Sequence, residues 1–489
     1  MGINKDKIKN CFAALLAAMM LCSCGAGVVC AVEEKTETEE KAETKKEEAE
    51  DTEENDEEAS EDDKEKKEKP RRKKGEMPTL AEGETGILID SVSGRVLFEK
   101  DSDKRMYPAS TTKIMTALLA IEAVEREEIS LDDSVTITAD MLEMSDPDGT
   151  TIALKEGETI TLDYLLKGLM VASGNDAACA IATYVEGDVM KFVDKMNERA
   201  KEIGTKDTHF ANPHGLHDDA HYTTAADMAK IAWTAMKLDK FRNIADIVHI
   251  KIPPTDLTEK ERYYINTNGL LSSMRYLDYY YKGAIGIKTG YTSKAGNCLV
   301  SAANRDGLEF IGVLFGGADV KYSHNESIDM LDWGFEQFNT SVAINKEEMV
   351  CEIKVKQGKG TDSLTLAAKE GVRVVIPKDV NVDELEIRPE LPEAVYAPIT
   401  AGPEAGSVTV LLTGEELGKG VIVAAKSVER SFFWPVMALG EWIWSMPVVR
   451  VIVCVAGVGI IFFIVLFFTA IHKNLKRAKR RRRKPMHKK

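Results

Sequence analysis

The chain has 489 residues and a formal net charge of −16, from 64 basic and 80 acidic residues. That length accommodates two or three domains and a large core. The acidic balance argues against a nucleic-acid partner. Of its 8 cysteines, Cys11, Cys22, Cys24 and Cys30 crowd the first residues and Cys454 lies in an apolar tract near the C-terminus. Cys179, Cys298 and Cys351 are too far apart for a disulfide framework or a zinc site. They read as small buried hydrophobes, and no metal or cofactor is expected.

The first residues, "MGINKDKIKN", are basic, and "CFAALLAAMMLC" follows as a short apolar run with small residues behind it. Residues 1–31 read as a secretory signal peptide cut after Ala31. Two alternatives stay open: lipidation at Cys24 within "LCSC", or an uncleaved anchor. Residues 32–76 are almost wholly Glu, Lys, Asp, Thr and Ala. With little to bury, this stretch cannot offset its ordering entropy and is expected to be a disordered acidic linker.

Composition turns globular at residue 77. "GILIDSVSGRVLFEK" predicts two strands, Ile87–Asp90 and Val96–Glu99, joined as a hairpin at Ser93-Gly94. "YPASTTKIMTALLAI" then predicts a helix that starts after Pro108 and is apolar nearly all round, hence buried. Ser110 and Lys113 fall three apart on one face of its first turn. A hydroxyl beside an amine in a dry place suits a nucleophile and its base. The plainer reading is a serine helix cap, since Ser-x-x-Lys also arises by chance.

Residues 155 to 240 read as largely helical, with a loop at Ser173-Gly174-Asn175. Strand signals return at "GAIGIKTG", "NCLVSAAN" and "LEFIGVLFGG", with Lys288-Thr289-Gly290 running out of a strand Ala284–Ile287. Alone, the first triplet is an ordinary turn and the second an edge lysine that guards against aggregation. In the order Ser-x-x-Lys, Ser-x-Asn, Lys-Thr-Gly, at these intervals within one exported chain, they are a strong signal together. Strands, then helices, then strands predict an antiparallel sheet with helices packed on it.

Residues 77–341 form this expected catalytic domain. Residues 342–428 alternate apolar and polar with period two and predict a small all-β domain that spaces the catalytic part from a membrane. Residues 429–447, with Trp434, Trp442 and Trp444, suit an amphipathic interfacial segment. Residues 448–472 are long and apolar enough for a transmembrane helix. The basic tail 473–489 is expected on the cytoplasmic side and the preceding domains on the extracellular face.

The three triplets and their surroundings resemble the serine D-alanyl-D-alanine carboxypeptidases, the low-molecular-mass penicillin-binding proteins of peptidase family S11. "DSVSGRVLFEKDSDKRMYPASTTKIMTALLA", "LMVASGNDAA", "THFANPHGLHDDAHYTTAADMAKIA" and "GIKTGYTSKAGNCLVSAA" carry the resemblance over about residues 80–340. It implies an α/β (α+β) transpeptidase/β-lactamase-like domain with a central antiparallel sheet and a helical subdomain, then a small all-β domain. It also implies cleavage of the terminal D-Ala from peptidoglycan stem peptides through an acyl-enzyme on Ser110, and acylation by β-lactams.

Lys113 would be the base, kept neutral by burial and by Lys288. Ser173 would relay the proton, and Asn175 would orient Lys113 and bind the substrate backbone. Lys288 and Thr289 would face the substrate carboxylate. Gly290 would let a peptide lie along its strand, and the N–H groups of Ser110 and Tyr291 would form the oxyanion hole.

Some family members have an arginine where Thr267 stands, so here that help falls to Lys288 and Thr289 or to a group the sequence does not reveal. "SSMRYLDYYYKG" is longer than expected and suits either a cleft rim or packing. His214, His217 and His221 look like a metal cluster, but "NPHGLHDD" matches a structural loop of the family. A β-lactamase would need a Glu-x-x-Leu-Asn loop between Asn175 and Lys288, and none is found there. A D,D-endopeptidase or transpeptidase on the same scaffold is not separable by sequence. A β-lactam sensor is disfavoured by the short basic tail.

Overall fold

The computed structural model describes residues 72–143, 145, 149–432, 439 and 442–482. The signal-peptide reading, nearly all of the acidic linker, Trp434 and the last residues of the tail lie outside these.

Alternation along the first hairpin sets the architecture. Strand β1 (Thr85–Asp90) pairs antiparallel with β2 (Val96–Lys100). Ile87 and Ile89 point into one core, while Leu88 points into another, as the two faces of a pleated sheet require. The three late strands complete the sheet: β3 (Ala284–Thr292), β4 (Gly296–Arg305) and β5 (Leu308–Gly317). The order is β2-β1-β5-β4-β3, antiparallel throughout, with β3 at an edge. The hairpin and antiparallel sheet agree with expectation. The Lys-Thr-Gly triplet differs: it lies inside β3, because pairing with β4 continues to Thr292.

One face of the sheet meets the helices that follow the hairpin. Helix α1 (Lys113–Glu125) has its residues Lys113–Ile121 all buried. It packs among α2 (Asn175–Glu186), α3 (Val189–Ile203) and α4 (Ala225–Ala235). Such a helix has no polar face to offer water, which is why its sequence is apolar all round. The other sheet face is covered by α5 (Val320–Gln337), whose Met330, Leu331 and Trp333 meet Leu88, Phe310 and Leu314.

A second, all-β part follows without a linker. The strand Phe338–Ile344 begins at the end of α5 and pairs with Val372–Pro377. A six-stranded sheet encloses a separate core that includes Val355, Leu366, Val408, Val410 and Ile422. Arg95 of the first hairpin ties the two parts together. It donates to the Val375 carbonyl at 2.9 Å and sits 5.9 Å over the Phe338 ring. Helix Pro447–Arg482 ends the described chain, and its stretch Arg450–Lys476, with a mean hydropathy of 3.2 over its most apolar 18 residues, is long and apolar enough to cross a membrane.

A buried ion pair braces the helical side. Glu158 is fully buried, and Arg262 donates to it at 2.6 Å and to the carbonyl of Ile152 at 3.0 Å. The segment so held runs on to Thr150, whose carbonyl accepts the Asn175 N–H at 2.7 Å. Removing one partner of a buried pair strands the other's charge. Arg262→Met is expected to cost about 3–5 kcal/mol of stability, read as a lower denaturation midpoint of the soluble ectodomain.

Candidate active site

The chain enters the site through a tight turn. Ala109–Thr112 form one 3₁₀ turn, and the α-helix proper begins at Lys113. Ala109 has φ +46°, a costly conformation for a residue with a Cβ. Hydroxyls hold the turn: Thr111 donates to the Pro108 carbonyl at 2.7 Å and Thr112 to the Ala109 carbonyl at 2.8 Å. His221 supports it from behind. Its Nδ1 accepts the Ala211 N–H, so its Nε2–H donates to the Thr112 hydroxyl at 2.8 Å. Burial pulls the His221 pKa down to about 3, which keeps the ring neutral. Gly215 closes the other side with φ +92°, and a Cβ there would lie 1.9 Å from the Ala109 oxygen.

Lys113 is fully buried, and its Nζ has three oxygen neighbours. They are Ser110 Oγ at 2.9 Å, Asn175 Oδ1 at 2.8 Å and the His214 carbonyl at 2.7 Å. The two carbonyl oxygens only accept. A neutral amine has two hydrogens to give them, which leaves its lone pair for the Ser110 hydroxyl proton. Burial foremost, and then the Lys288 cation, hold Lys113 well below the usual lysine range. Lys113 and Ser110 can therefore act as base and nucleophile without a histidine.

Ser173 ends the π-turn Gly168–Ala172 in the left-handed region, φ +66°. A π-turn and a strained non-glycine residue together are frequent marks of a functional site. Asn175 opens α2, and the next residue, Asp176, clamps the facing segment by accepting the N–H groups of Ile152 and Leu154 at 3.0 Å. Gly290 of β3 presses on the nucleophile turn. A Cβ there would lie 2.9 Å from the Ser110 nitrogen, so only glycine allows this approach.

A cavity of about 230 Å³ opens here, lined in part by Ser110, Ser173, Thr289, Gly290 and Tyr291. Lys113, Asn175 and Lys288 lie buried beneath its walls. The eight residues singled out from the sequence thus split into five on the cavity surface and three that back it. Lys288 is 1 % exposed, and burial with the nearby Arg275 cation lowers its pKa to about 7. Thr289 donates to the Thr267 hydroxyl at 2.6 Å. Thr150, Arg275, Tyr276 and His324 also line the cavity; the sequence offered the segment that carries Arg275 and Tyr276 as a cleft rim without singling out Arg275, and gave no signal for Thr150 or His324. Of the three histidines that suggested a metal, His214 lends its backbone carbonyl, His221 braces Thr112, and His217 stacks edge-on against Tyr107. Among the described residues, no group of three His, Cys, Asp or Glu is arranged to hold a metal.

Residues 72–319 match the family described as D-alanyl-D-alanine carboxypeptidase, and residues 338–430 match the penicillin-binding protein 5 C-terminal domain. The chain belongs to the serine D-alanyl-D-alanine carboxypeptidases, peptidase family S11. It is a low-molecular-mass penicillin-binding protein. The D-alanyl-D-alanine carboxypeptidase DacF of Bacillus subtilis is 32% identical over 73% of this chain and 89% of its own. DacA of Escherichia coli is 31% identical over 71% and 84% respectively. Penicillin-binding protein 5 from Haemophilus influenzae shares the fold with a TM-score of 0.61 at 30% identity, over 73% of this chain and all of that one. The expected transpeptidase-like domain followed by a β-rich domain is thereby established.

Lys288 offers a pH test of this carboxypeptidase site. Its positive charge disfavours protonated Lys113, so removing it raises the Lys113 pKa and shrinks the neutral fraction at low pH. Above about pH 7 the Lys288 charge is itself leaving. Lys288→Met should therefore slow acylation by a β-lactam more at about pH 6 than at about pH 9. Equal loss at both would separate Lys288 from the base.

Proposed function

We propose that this chain is a membrane-anchored D,D-carboxypeptidase in which Ser110 attacks the carbonyl between the last two D-alanines of a peptidoglycan stem peptide. The observation that carries this reading is the set of three oxygens around the Lys113 amine. Neutral Lys113 takes the Ser110 proton as the Oγ–C bond forms. The negative charge on the carbonyl oxygen is met by the N–H groups of Ser110 and Tyr291. Ser173 passes a proton to the leaving nitrogen, the C–N bond breaks, and free D-alanine departs. Asn175 keeps Lys113 in line and receives the substrate backbone. Thr289, with Lys288 behind it, attends the terminal carboxylate. Because β3 is an edge strand, the peptide can add to it as a further strand, with Gly290 giving it room. Water then attacks the acyl-enzyme by the reverse route and frees Ser110. β-Lactams form the same ester and leave slowly.

The domain plan follows the same reading: signal peptide 1–31, acidic linker 32–76, catalytic domain 77–341 and β-rich domain 342–428. Interfacial segment 429–447, span 448–472 and cytoplasmic tail 473–489 complete it. The catalytic domain would face the outside of the cytoplasmic membrane, within reach of nascent wall.

The test is the intact mass of the ectodomain after penicillin treatment, beside Ser110→Ala, with D-alanine release from a diacetyl-Lys-D-Ala-D-Ala peptide measured on the same sample. One stable adduct on the wild type alone, together with D-alanine release, is expected. Rapid penicillin turnover would mean a β-lactamase, and an adduct without D-alanine release another acceptor or a sensor.

A further inference from the structure

The loop that the sequence marked as unusually long has a buried base and an exposed tip. It leaves the core at Leu271 and returns at Tyr281, both buried, while Leu277 at its tip is 86% exposed. Tyr281 closes the base: its N–H donates to the Leu270 carbonyl at 2.9 Å and its hydroxyl to Asp332 at 2.7 Å. The middle rests on His324 of α5. The Tyr279 ring stacks on it at 4.8 Å and 27°, and the Tyr276 ring lies 5.9 Å away. His324 is used up as a neutral imidazole. Its Nδ1–H donates to the Val320 carbonyl at 2.8 Å, and its Nε2 accepts the Gly269 N–H at 3.2 Å.

This pedestal puts Arg275 on the wall of the Ser110 cavity, which the hydrogen-bonded Thr289 and Thr267 also line. The charge inventory of that cavity is short. Lys113 and Lys288 lie beneath the wall, and neither is permanently charged: Lys113 is held well below the usual lysine range and the Lys288 pKa is lowered to about 7. His324 lines the cavity but is neutral. Among the described lining residues, Arg275 alone has a permanently charged side chain. A guanidinium is also the group best shaped to grip a carboxylate with two parallel hydrogen bonds.

We infer that Arg275, delivered by the loop between Leu271 and Tyr281 and propped on His324, is the specificity-determining cation that selects acyl donors whose leaving group carries a carboxylate. The inference rests on the carboxypeptidase reading, which makes the leaving group a free D-alanine. Arg275 is not a catalytic base or acid. It fixes the leaving end of the peptide against Thr289, so that the scissile carbonyl meets Ser110. His324 acts one step further back, as a positioning residue for the loop.

The experiment compares two benzoyl-D-alanyl thioesters, the thioglycolate and the S-ethyl ester, which differ only in the leaving group's carboxylate. Thiol release gives kcat/KM for each with wild type, Arg275→Ala, Arg275→Lys and His324→Ala. Wild type should prefer the thioglycolate, and Arg275→Ala should lower that preference about tenfold or more. Arg275→Lys should recover part of it, and His324→Ala should move the preference in the same direction as Arg275→Ala. An unchanged preference in Arg275→Ala, or equal loss on both donors, overturns the inference. Release of D-alanine from the diacetyl peptide by the wild type is scored separately. Its absence would instead overturn the carboxypeptidase reading.

Discussion

A lysine amine buried in a dry pocket, where burial disfavours its charged form, is the constraint on which the rest of this molecule depends. An ammonium at that depth would be costly to bury, and it would be useless as a base. The fold resolves both problems by surrounding the Lys113 nitrogen with two carbonyl oxygens and one hydroxyl. These come from three separate parts of the chain, so all three must be placed together. The apolar α1 buries the lysine, the start of α2 brings Asn175, and the loop at His214 brings a backbone carbonyl. Each part is braced by groups that do no chemistry themselves, such as His221 behind Thr112 and Asp176 behind Asn175.

The sheet supplies the other half of the site by geometry. Its edge strand β3 lies against the nucleophile turn so closely that only glycine fits at position 290. The same strand buries Lys288, whose charge acts on Lys113, and presents Thr289 and Tyr291 to the cavity. Electrostatics and shape therefore come from one strand, with alternate residues doing alternate jobs. The site holds strain as well: Ala109, next to Ser110, and Ser173 both have positive φ.

Much of this was legible because the chemistry requires side chains of fixed type at fixed spacing. Ser110 and Lys113 meet as helical spacing demands, although the turn between them is 3₁₀ and the α-helix starts only at Lys113. The hairpin followed from its two short strand signals around Ser93-Gly94, and the buried helix from an unbroken apolar run behind Pro108. The extent of β3 did not: the sequence places Lys288-Thr289-Gly290 beyond a strand that ends at Ile287, while ladder pairing with β4 carries the strand on to Thr292. The His214 contribution was invisible, since a carbonyl can come from any residue. Arg275 was equally hidden: nothing local distinguishes a loop arginine that turns into a cleft from one that faces water. The tyrosines of its loop divide between the two expected roles, Tyr281 packing in the core and Tyr276 lining the cavity.

The most direct test of the account is the charge on Lys113 itself. Isotope-labelled lysine in the soluble ectodomain allows its Cε resonance to be followed against pH, with Lys113→Arg to assign the signal. The account predicts a resonance that titrates far below the ordinary lysine value of about 10.4 and is that of a neutral amine at neutral pH. Titration near the ordinary value, with Lys113 an ammonium at neutral pH, would contradict it and require another base for Ser110.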